Sequence, residues 1–267
     1  MRVGWIGLGM MGLAMARCAA RAGHDVVGLT RGRPDHRALV ADGGRLSTDL
    51  AEVVAHAELL CLNVFDDAQL RELFDGERLL ARLRPGTILV VHTTGNPDLS
   101  RGLAASAPPG VEVIDGAFSG TPAQAIDGTL TVMAGGRDAA VARARPLFEA
   151  YAACVRHVGP TGAGMQLKLI NNLLFAAQVR LAEDAFRLAG DAGFDAATVT
   201  EVLGRCSAAS RALAIIGEGG NVAANAARMR FYVDKDVAVA VGIAATAGLD
   251  LGLVGEVARG AAAPDAA

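Results

Sequence analysis

Lysine is scarce in this chain: two of its 267 residues are lysine, against 23 arginines. Arginine therefore serves wherever a plain positive charge is enough. A guanidinium stays charged at every ordinary pH, whereas a lysine ammonium can give and take a proton when its surroundings favour it. The two positions that keep lysine, Lys168 and Lys235, are therefore candidates for chemistry rather than for surface charge.

Cysteine is sparse as well, with four scattered residues and no Cys-x-x-Cys pair. Such cysteines are typical of small core side chains in a reducing compartment, so we predict neither disulfides nor a metal site. The net charge of −3 includes no basic block, which argues against nucleic acid and membrane surfaces as partners. The chain starts directly on a strand pattern, and its longest apolar run has 13 residues, too few to span a bilayer. We therefore expect a cytoplasmic globular protein.

Short apolar runs alternate with helical stretches over residues 2–158. This alternation is typical of an α/β fold, a doubly wound Rossmann sheet of buried parallel strands with helices between them. The predicted strands are Val3–Ile6, Asp25–Leu29, Leu59–Asn63, Thr87–His92, Val111–Asp115, Leu130–Ala134 and Cys154–Val158.

Strand patterns stop after residue 160. A long helical pattern over Met165–Leu188 is followed by shorter ones near residues 195–205, 207–216, 228–247 and 252–259. The sequence thus predicts two domains, a Rossmann domain over residues 1–160 and an all-α domain over residues 161–267. The tail Gly260–Ala267 is low in complexity, and we expect it to fray.

A Gly-x-Gly-x-x-Gly motif follows the first predicted strand and opens a helix. Its first glycine allows a tight turn, its second lets the backbone approach a pyrophosphate, and its third lets helix and strand pack closely. The helix N-terminus then faces the phosphate charge. We expect a dinucleotide to contact Gly7, Leu8, Gly9, Met10, Met11 and Gly12.

The end of the second predicted strand distinguishes the two nicotinamide cofactors. An NAD site usually has a carboxylate there, whereas an NADP site has arginine for the 2′-phosphate. Here Thr30 is followed by Arg31 and Arg33, while Asp25 comes too early and Asp35 too late. We therefore favour NADP(H) over NAD(H), although a solvated basic turn would have the same sequence.

Two further segments carry groups suited to a small carboxylate substrate. Ser119, Gly120 and Thr121 follow a predicted strand, where their hydroxyls and backbone N–H groups could hold a carboxylate, although an ordinary turn would use similar residues. Lys168 lies in a helix with Asn172, which the i,i+4 spacing puts on the same face. A lysine can supply a proton to a carbonyl oxygen as hydride arrives, and an amide can orient that oxygen.

In these motifs and in their order, the chain resembles the β-hydroxyacid dehydrogenases, a group that includes 3-hydroxyisobutyrate dehydrogenase, tartronate semialdehyde reductase and relatives of 6-phosphogluconate dehydrogenase. The resemblance runs from residue 2 to about residue 258. It includes the glycine-rich turn, the segments 115–128 and 162–172, and the pair Lys235-Asp236. It implies an NAD(P)-dependent oxidoreductase that interconverts a short β-hydroxy acid and its semialdehyde or keto acid.

The resemblance also implies roles for individual residues. Lys168 would be the general acid/base, Asn172 would orient the substrate oxygen, and Lys235 would close the site over cofactor and substrate. The implied assembly is a homodimer or homotetramer through the helical domain. The substrate carboxylate would lie on Ser119, Gly120 and Thr121, and the cofactor would also contact Thr94, Val64 and Phe65.

The chain departs from the family pattern at several positions. Thr121 replaces a second glycine, Thr93 replaces a serine, and Val64-Phe65 replaces Leu-Pro. Two other functions stay open on this fold. Imine reductases share the architecture but usually carry another residue in place of Lys168, and a non-catalytic NADP-binding protein would not need that lysine.

Overall fold

The computed structural model of the chain describes residues 1–260. Residues 261–267, which make up most of the predicted low-complexity tail, lie outside the described residues. The strands are β1 (Arg2–Ile6), β2 (Asp25–Leu29), β3 (Arg45–Ser47), β4 (Leu59–Leu62), β5 (Ile88–Val91), β6 (Glu112–Ser119), β7 (Leu130–Gly135) and β8 (Ala152–Gly159).

Helices follow most of these strands and make up most of the described chain after β8. They are α1 (Met10–Arg21), α2 (Arg37–Ala41), α3 (Leu50–His56), α4 (Asp67–Arg71), α5 (Leu79–Arg82), α6 (Pro97–Ser106), α7 (Pro122–Ile126), α8 (Asp138–Phe148), α9 (Ala163–Asp191), α10 (Ala196–Leu203), α11 (Arg211–Gly217), α12 (Val222–Ala247) and α13 (Gly252–Arg259), with a short 3₁₀ turn at Pro34–His36 before α2.

The strands form one sheet in the order β3-β2-β1-β4-β5-β6-β7-β8. Strands β1 to β6 run parallel, with β1 at the point where the strand order reverses. Ligands of open α/β sheets bind at such a point, beyond the carboxyl ends of the strands. The predicted fold class, a doubly wound sheet followed by helices, is confirmed.

One detail of the predicted sheet is wrong. We expected every strand to be parallel, but β6 and β7 pair antiparallel, and β8 then follows β7 in parallel. The ten residues 120–129 between β6 and β7 hold only the five-residue α7. A parallel crossover needs a dozen or more residues, so the chain turns back instead.

Helices cover both faces of the sheet because alternate strand residues point to opposite sides. On one face, strand residues such as Val90 and Ile114 pack with α1 and α8. On the other, residues such as Leu89 and Val113 pack with α3 and α6. Both strand faces are apolar, which is typical of a buried parallel sheet.

The chain divides into two compact units, one over Met1–Lys168 and the other from Leu169 onward. The boundary lies within α9. In the second unit, α9 packs with α12 and α13 around Leu173 and Val237. It packs with α10 and α11 around Phe186 and Ile216.

Candidate active site

The glycine-rich turn has the backbone that its sequence predicts. Gly7 has φ +95°, and a Cβ there would collide with the Asn63 carbonyl. A Cβ at Gly12 would collide with the Gly7 carbonyl, so α1 and β1 approach closely only because both residues are glycine. Gly9 has no such neighbour: its Cβ direction opens into free space, as a bound pyrophosphate requires.

The last three residues of the motif, Met10 to Gly12, form the start of α1. Met10 is exposed and Met11 half-buried, while Leu8 is buried beneath the turn. No acidic residue occupies the first turn of this 12-residue helix, so its positive dipole end has no charge partner of its own there. Beside the turn, the buried Asn63 Oδ1 has no hydrogen-bond partner among the described residues. These features fit a dinucleotide, which brings a pyrophosphate and ribose hydroxyl donors.

Arg31 and Arg33 are both exposed directly after β2. The Arg33 guanidinium donates to both carboxylate oxygens of Asp35, at 3.1 and 3.2 Å. This pair is largely exposed, so we expect it to contribute little stability and to exchange readily for another anion. Thr30 differs: its hydroxyl accepts from Gly32 N–H at 3.1 Å and lies 2.7 Å from His36 Nδ1.

His36 is a residue that the sequence reasoning missed. It ends the 3₁₀ turn Pro34–His36, is 4% exposed, and its Nε2 lies 2.9 Å from the Leu8 carbonyl. It thus connects the turn after β1 with Thr30 at the end of β2. A lone histidine in a polar loop gives no periodic signal, so only its position a few residues after the predicted strand end could have indicated it.

The predicted cofactor loop after β4 is held by side chains of neighbouring segments. Val64 N–H donates to Thr93 Oγ1 at 3.0 Å, and Phe65 N–H donates to Gln69 Oε1 at 3.1 Å. The Phe65 side chain is 64% exposed, and Thr94 is half-buried. The threonine that departs from the family serine at position 93 therefore still supplies a hydroxyl that fixes the loop.

Asp115 lies level with the carboxyl ends of the central strands. The sheet register aligns Ile6 with Leu62, Leu62 with Val91, and Val91 with Asp115. Beyond this row β1, β4 and β5 have ended, whereas β6 continues to Ser119 beside antiparallel β7. Asp115 therefore marks the level at which the strands give way to the candidate site.

The buried Asp115 carboxylate anchors the start of α9. It accepts from Gly162 N–H at 2.5 Å and from Met165 N–H at 2.7 Å. Burial raises the pKa of Asp115, and the hydrogen bonds from these N–H groups oppose that shift. A Cβ at Gly164 would lie 2.7 Å from Asp115 Oδ2 and would collide with the Met133 carbonyl. The glycines before Lys168 therefore let the helix start against this carboxylate.

The predicted carboxylate-binding segment lies at the end of β6. Ser119 is half-buried, and Gly120 has φ +141° with its Cβ direction blocked by Leu130. Thr121 caps α7: its hydroxyl accepts from Gln124 N–H at 3.3 Å, while Gln124 Oε1 accepts from Thr121 N–H at 3.1 Å. The departure at position 121 thus has a structural reason, since a glycine lacks the hydroxyl of this capping box.

The amides on α9 belong to a hydrogen-bonded chain in the helical unit, which is the unit from Leu169 onward. Asn172 is buried, and its Nδ2 donates to Asp236 Oδ2 at 2.6 Å. Asn171 Nδ2 donates to Asn172 Oδ1 at 2.9 Å, and Lys235 Nζ lies 3.0 Å from Asp236 Oδ1. The buried Asp236 thus joins two predicted site residues, Asn172 and Lys235. Lys168, half-buried, precedes Asn172 by four residues on α9.

The described residues hold no metal-ligand cluster. Across residues 1–260, histidine, cysteine, aspartate and glutamate side chains form no group of three or more suited to a metal ion. None of the helices in that range combines the length and the apolar character that a bilayer-crossing helix requires.

Two family models match the chain. The NAD binding domain of 6-phosphogluconate dehydrogenase matches residues 2–159, and the NAD-binding domain of NADP-dependent 3-hydroxyisobutyrate dehydrogenase matches residues 162–266. The chain belongs to the β-hydroxyacid dehydrogenase family. It is therefore an oxidoreductase that uses a nicotinamide dinucleotide.

Relatives and solved structures agree with this β-hydroxyacid dehydrogenase assignment. The chain is 33% identical to an NAD-dependent L-serine dehydrogenase from Pseudomonas aeruginosa, over 86% of this chain and 78% of the relative. It is 32% identical to a 2-hydroxy-3-oxopropionate reductase from Escherichia coli, over 82% and 75% of the two chains. A Mycobacterium tuberculosis 3-hydroxyisobutyrate dehydrogenase solved with L-serine superposes with a TM-score of 0.82 and 27% identity, over 97% and 92%. A Streptomyces aurantiacus imine reductase, at 22% identity and TM-score 0.66, shares the fold.

Proposed function

We propose that this protein is an NADP(H)-preferring dehydrogenase that interconverts a short β-hydroxy acid and its semialdehyde or keto acid. The names of its relatives support this substrate class, because L-serine, L-threonate and 2-hydroxy-3-oxopropionate are all small hydroxylated carboxylates. The NADP preference is supported by Arg31 and Arg33, which are exposed directly after β2 where an NAD site would have a carboxylate.

The proposed chemistry divides between cofactor and protein. When bound, the nicotinamide supplies or accepts the hydride. Lys168 donates a proton to the carbonyl oxygen during reduction and removes it during oxidation, and Asn172 donates a hydrogen bond to the same oxygen. Hydrogen bonding of Asn172 to Asp236 supports this role, because it leaves the amide one orientation from which to donate.

Substrate and cofactor positioning come from the remaining residues. Ser119, Gly120 and Thr121 hold the substrate carboxylate, and Lys235 contributes to binding of substrate and cofactor. The glycine-rich turn Gly7–Gly12 binds the pyrophosphate at the N-terminus of α1. Thr94, together with the Val64-Phe65 loop, contacts the nicotinamide end.

The observation that carries the proposal is the contact between Asp115 and the start of α9. Asp115 belongs to β6, which ends in Ser119, and its carboxylate binds the first N–H groups of the helix that bears Lys168. Asp115 therefore connects the strand that leads to the candidate carboxylate site with the helix that bears the candidate proton donor. A protein that only bound the cofactor would not need a half-buried lysine on this helix.

We further propose that the protein assembles through its helical unit and works in the cytoplasm. Leu174, Leu181 and Leu188 repeat every seven residues along α9 and are about half exposed, at 48, 59 and 55%. Such a stripe is typical of a helix that packs against a second copy of the chain. All four cysteines are free thiols, which suits a reducing compartment.

Titration with NADPH and NADH, followed by turnover of semialdehydes, keto acids and cyclic imines, tests the function. We expect a carbonyl substrate to be reduced with NADPH preferred. On that substrate, Lys168→Ala and Lys168→Arg should both lower kcat by about 10²–10⁴, since arginine keeps the charge but cannot deliver the proton. Arg205→Ala, at an exposed cation far along the chain, serves as the control.

Other outcomes would contradict separate parts of the proposal. Near wild-type turnover by Lys168→Ala would remove the lysine from the mechanism. Arg31→Ala should weaken NADPH binding and leave NADH binding unchanged, and equal effects on both cofactors would contradict the 2′-phosphate assignment. Turnover of imines alone, or cofactor binding without any turnover, would favour the imine reductase or the non-catalytic alternative.

A further inference from the structure

His36 connects two segments of the Rossmann unit that are far apart in sequence. Its Nε2 lies 2.9 Å from the Leu8 carbonyl in the glycine-rich turn, and its Nδ1 lies 2.7 Å from Thr30 Oγ1 at the end of β2. These are the two segments that a dinucleotide contacts with its pyrophosphate and with its adenosine ribose. One buried ring therefore spans the distance between them.

The ring is buried in this position and hydrogen-bonded through both nitrogens. His36 is 4% exposed, although Arg33, Asp35 and Arg37 around it are exposed. Leu39, one turn further on, is fully buried against the bare backbone of Gly28 on β2. Polar neighbours surround the histidine in sequence, yet the fold has buried its side chain.

The same Gly28 also receives the side chain of Leu8. A Cβ at position 28 would lie 2.9 Å from a methyl group of Leu8 and 2.9 Å from one of Leu39. Leu8 therefore packs on β2 with its side chain while its carbonyl faces His36. The turn after β1 and the segment after β2 are thus joined by the packing of Leu8 and Leu39 on Gly28 and by the hydrogen bond between His36 and the Leu8 carbonyl.

The direction of the hydrogen bonds follows from the partners. A carbonyl oxygen only accepts, so Nε2 carries the hydrogen toward Leu8 and, in the neutral ring, Nδ1 accepts from the Thr30 hydroxyl. The Thr30 oxygen in turn accepts from Gly32 N–H at 3.1 Å. The chain of bonds thus runs from Gly32 through Thr30 and His36 to Leu8, and it fixes the backbone on both sides of Arg31.

We propose that His36 is a positioning residue for the dinucleotide, which sets the separation between the glycine-rich turn and the arginine-bearing end of β2. The covalent structure of the cofactor fixes the distance between its pyrophosphate and its 2′-phosphate. A protein that binds both groups gains affinity when its own two binding segments are held at a matching distance beforehand. The inference rests on the proposed NADP preference, because it assigns the 2′-phosphate of the cofactor to the guanidinium of Arg31.

The experiment compares cofactor affinities of the full chain, of four single variants and of one double variant. His36→Leu removes both hydrogen bonds, and His36→Gln keeps an amide that reaches the Leu8 carbonyl. Thr30→Val removes the other end of the chain of bonds. The control is His56→Leu, because the Nε2 of His56 also lies 2.9 Å from a backbone carbonyl, that of Asp25 at the opposite, amino end of β2.

Fluorescence titration should give a dissociation constant for NADPH about tenfold higher in His36→Leu, the equivalent of one net hydrogen bond. NADH, which lacks the 2′-phosphate, should be weakened less, so the NADPH preference should fall. His36→Gln should recover part of the affinity. The double variant of Thr30→Val and His36→Leu should bind no more weakly than His36→Leu alone, because the two residues act as a unit. KM for NADPH should rise while kcat stays near the wild-type value.

A folded His36→Leu variant with wild-type affinity for both cofactors would overturn the inference and leave the proposed function intact. A lowered melting temperature with unchanged affinity and unchanged preference would do the same, since it would make His36 a packing residue only. If His36→Leu does not fold, unchanged affinities in His36→Gln and Thr30→Val decide against the inference.

A wild-type chain that binds NADH as tightly as NADPH would remove the NADP preference, but weaker binding of both cofactors in His36→Leu would still support the positioning role. A wild-type chain that binds neither cofactor would overturn both proposals.

Discussion

Acid should destabilise the Rossmann unit through one buried histidine. His92 is 0% exposed; its Nδ1 donates to the Gly116 carbonyl at 2.6 Å, and its Nε2 lies 3.1 Å from the Tyr151 hydroxyl. Burial lowers the pKa of His92 to about 4, against the smaller opposing effect of the hydrogen bond to Gly116. The ring is therefore neutral at ordinary pH, and its Nε2 accepts a hydrogen bond from the Tyr151 hydroxyl.

The sign and size of the effect follow from linkage. Because the pKa of His92 in the folded chain is below the value of about 6.5 in the unfolded chain, the unfolded state binds one more proton between these pH values. Stability is thus lost as the pH falls from about 7 toward 4. The loss from His92 alone is about 2 kcal/mol at pH 5 and approaches about 3.4 kcal/mol below pH 4.

The assay is urea unfolding at pH 7 and pH 5, followed by the fluorescence of Trp5. This is the single tryptophan of the chain, and its ring stacks on His92 with centroids 5.7 Å apart, so the signal reports on the Rossmann unit. The matched variant is His92→Asn, which keeps a donor toward Gly116 but does not titrate. Wild type should lose about 2 kcal/mol more than this variant between the two pH values.

Other titrating groups are common to both chains and cancel in that difference. His24, whose pKa is lowered by burial and by the charged N-terminus, is one of them. Equal losses in wild type and His92→Asn would refute the reasoning. If the variant does not fold, a pH titration of Trp5 fluorescence in the native wild type decides, and a quenching midpoint near the ordinary histidine value would be the refuting result.

Two further predictions concern the start of α9. Asp115→Ala leaves the N–H groups of Gly162 and Met165 without their acceptor and should lower the free energy of unfolding by about 2–5 kcal/mol. Asp115→Asn should lose less. Thermal unfolding without any change would show that the contact between Asp115 and α9 is not needed for stability. Gly164→Ala should lower the free energy of unfolding by about 1–3 kcal/mol through overpacking against Asp115. The control Gly102→Ala, at an exposed helical glycine with open space around it, should be neutral or slightly stabilising. Equal effects of the two alanines would contradict the steric argument.

The parts of the fold that the sequence predicted are those with a periodic or fixed-spacing signal. The glycine-rich turn is one, because each of its glycines answers a separate steric demand. Strand β3 was missed because its three residues include one apolar side chain and form no run. The reversal between β6 and β7 was missed because buried strands have the same apolar pattern in either direction, and only the short connection of residues 120–129 decides between them.

The candidate site was predictable to a similar extent. Lys168, Asn172 and Lys235 stood out by residue type and spacing, whereas His36 did not, and no role was predicted for Asp115 or Asp236 although both lie in motifs of the resemblance. Each of these three bonds to a residue distant in sequence, so its role depends on a tertiary contact that no local pattern encodes. A carboxylate inside an apolar run, such as Asp115 in its strand, is the one local signal that could have prompted a search for its partner.

The position of β1 has a practical consequence for protein engineering. This strand comes first in the chain but lies inside the sheet, between β2 and β4. Deleting the first six residues would separate β2 and β3 from the other five strands and leave two open edges prone to aggregation. An affinity tag added before Met1, by contrast, would leave from the amino end of β1, at the opposite end of the strand from Gly7, and should not obstruct cofactor-binding assays.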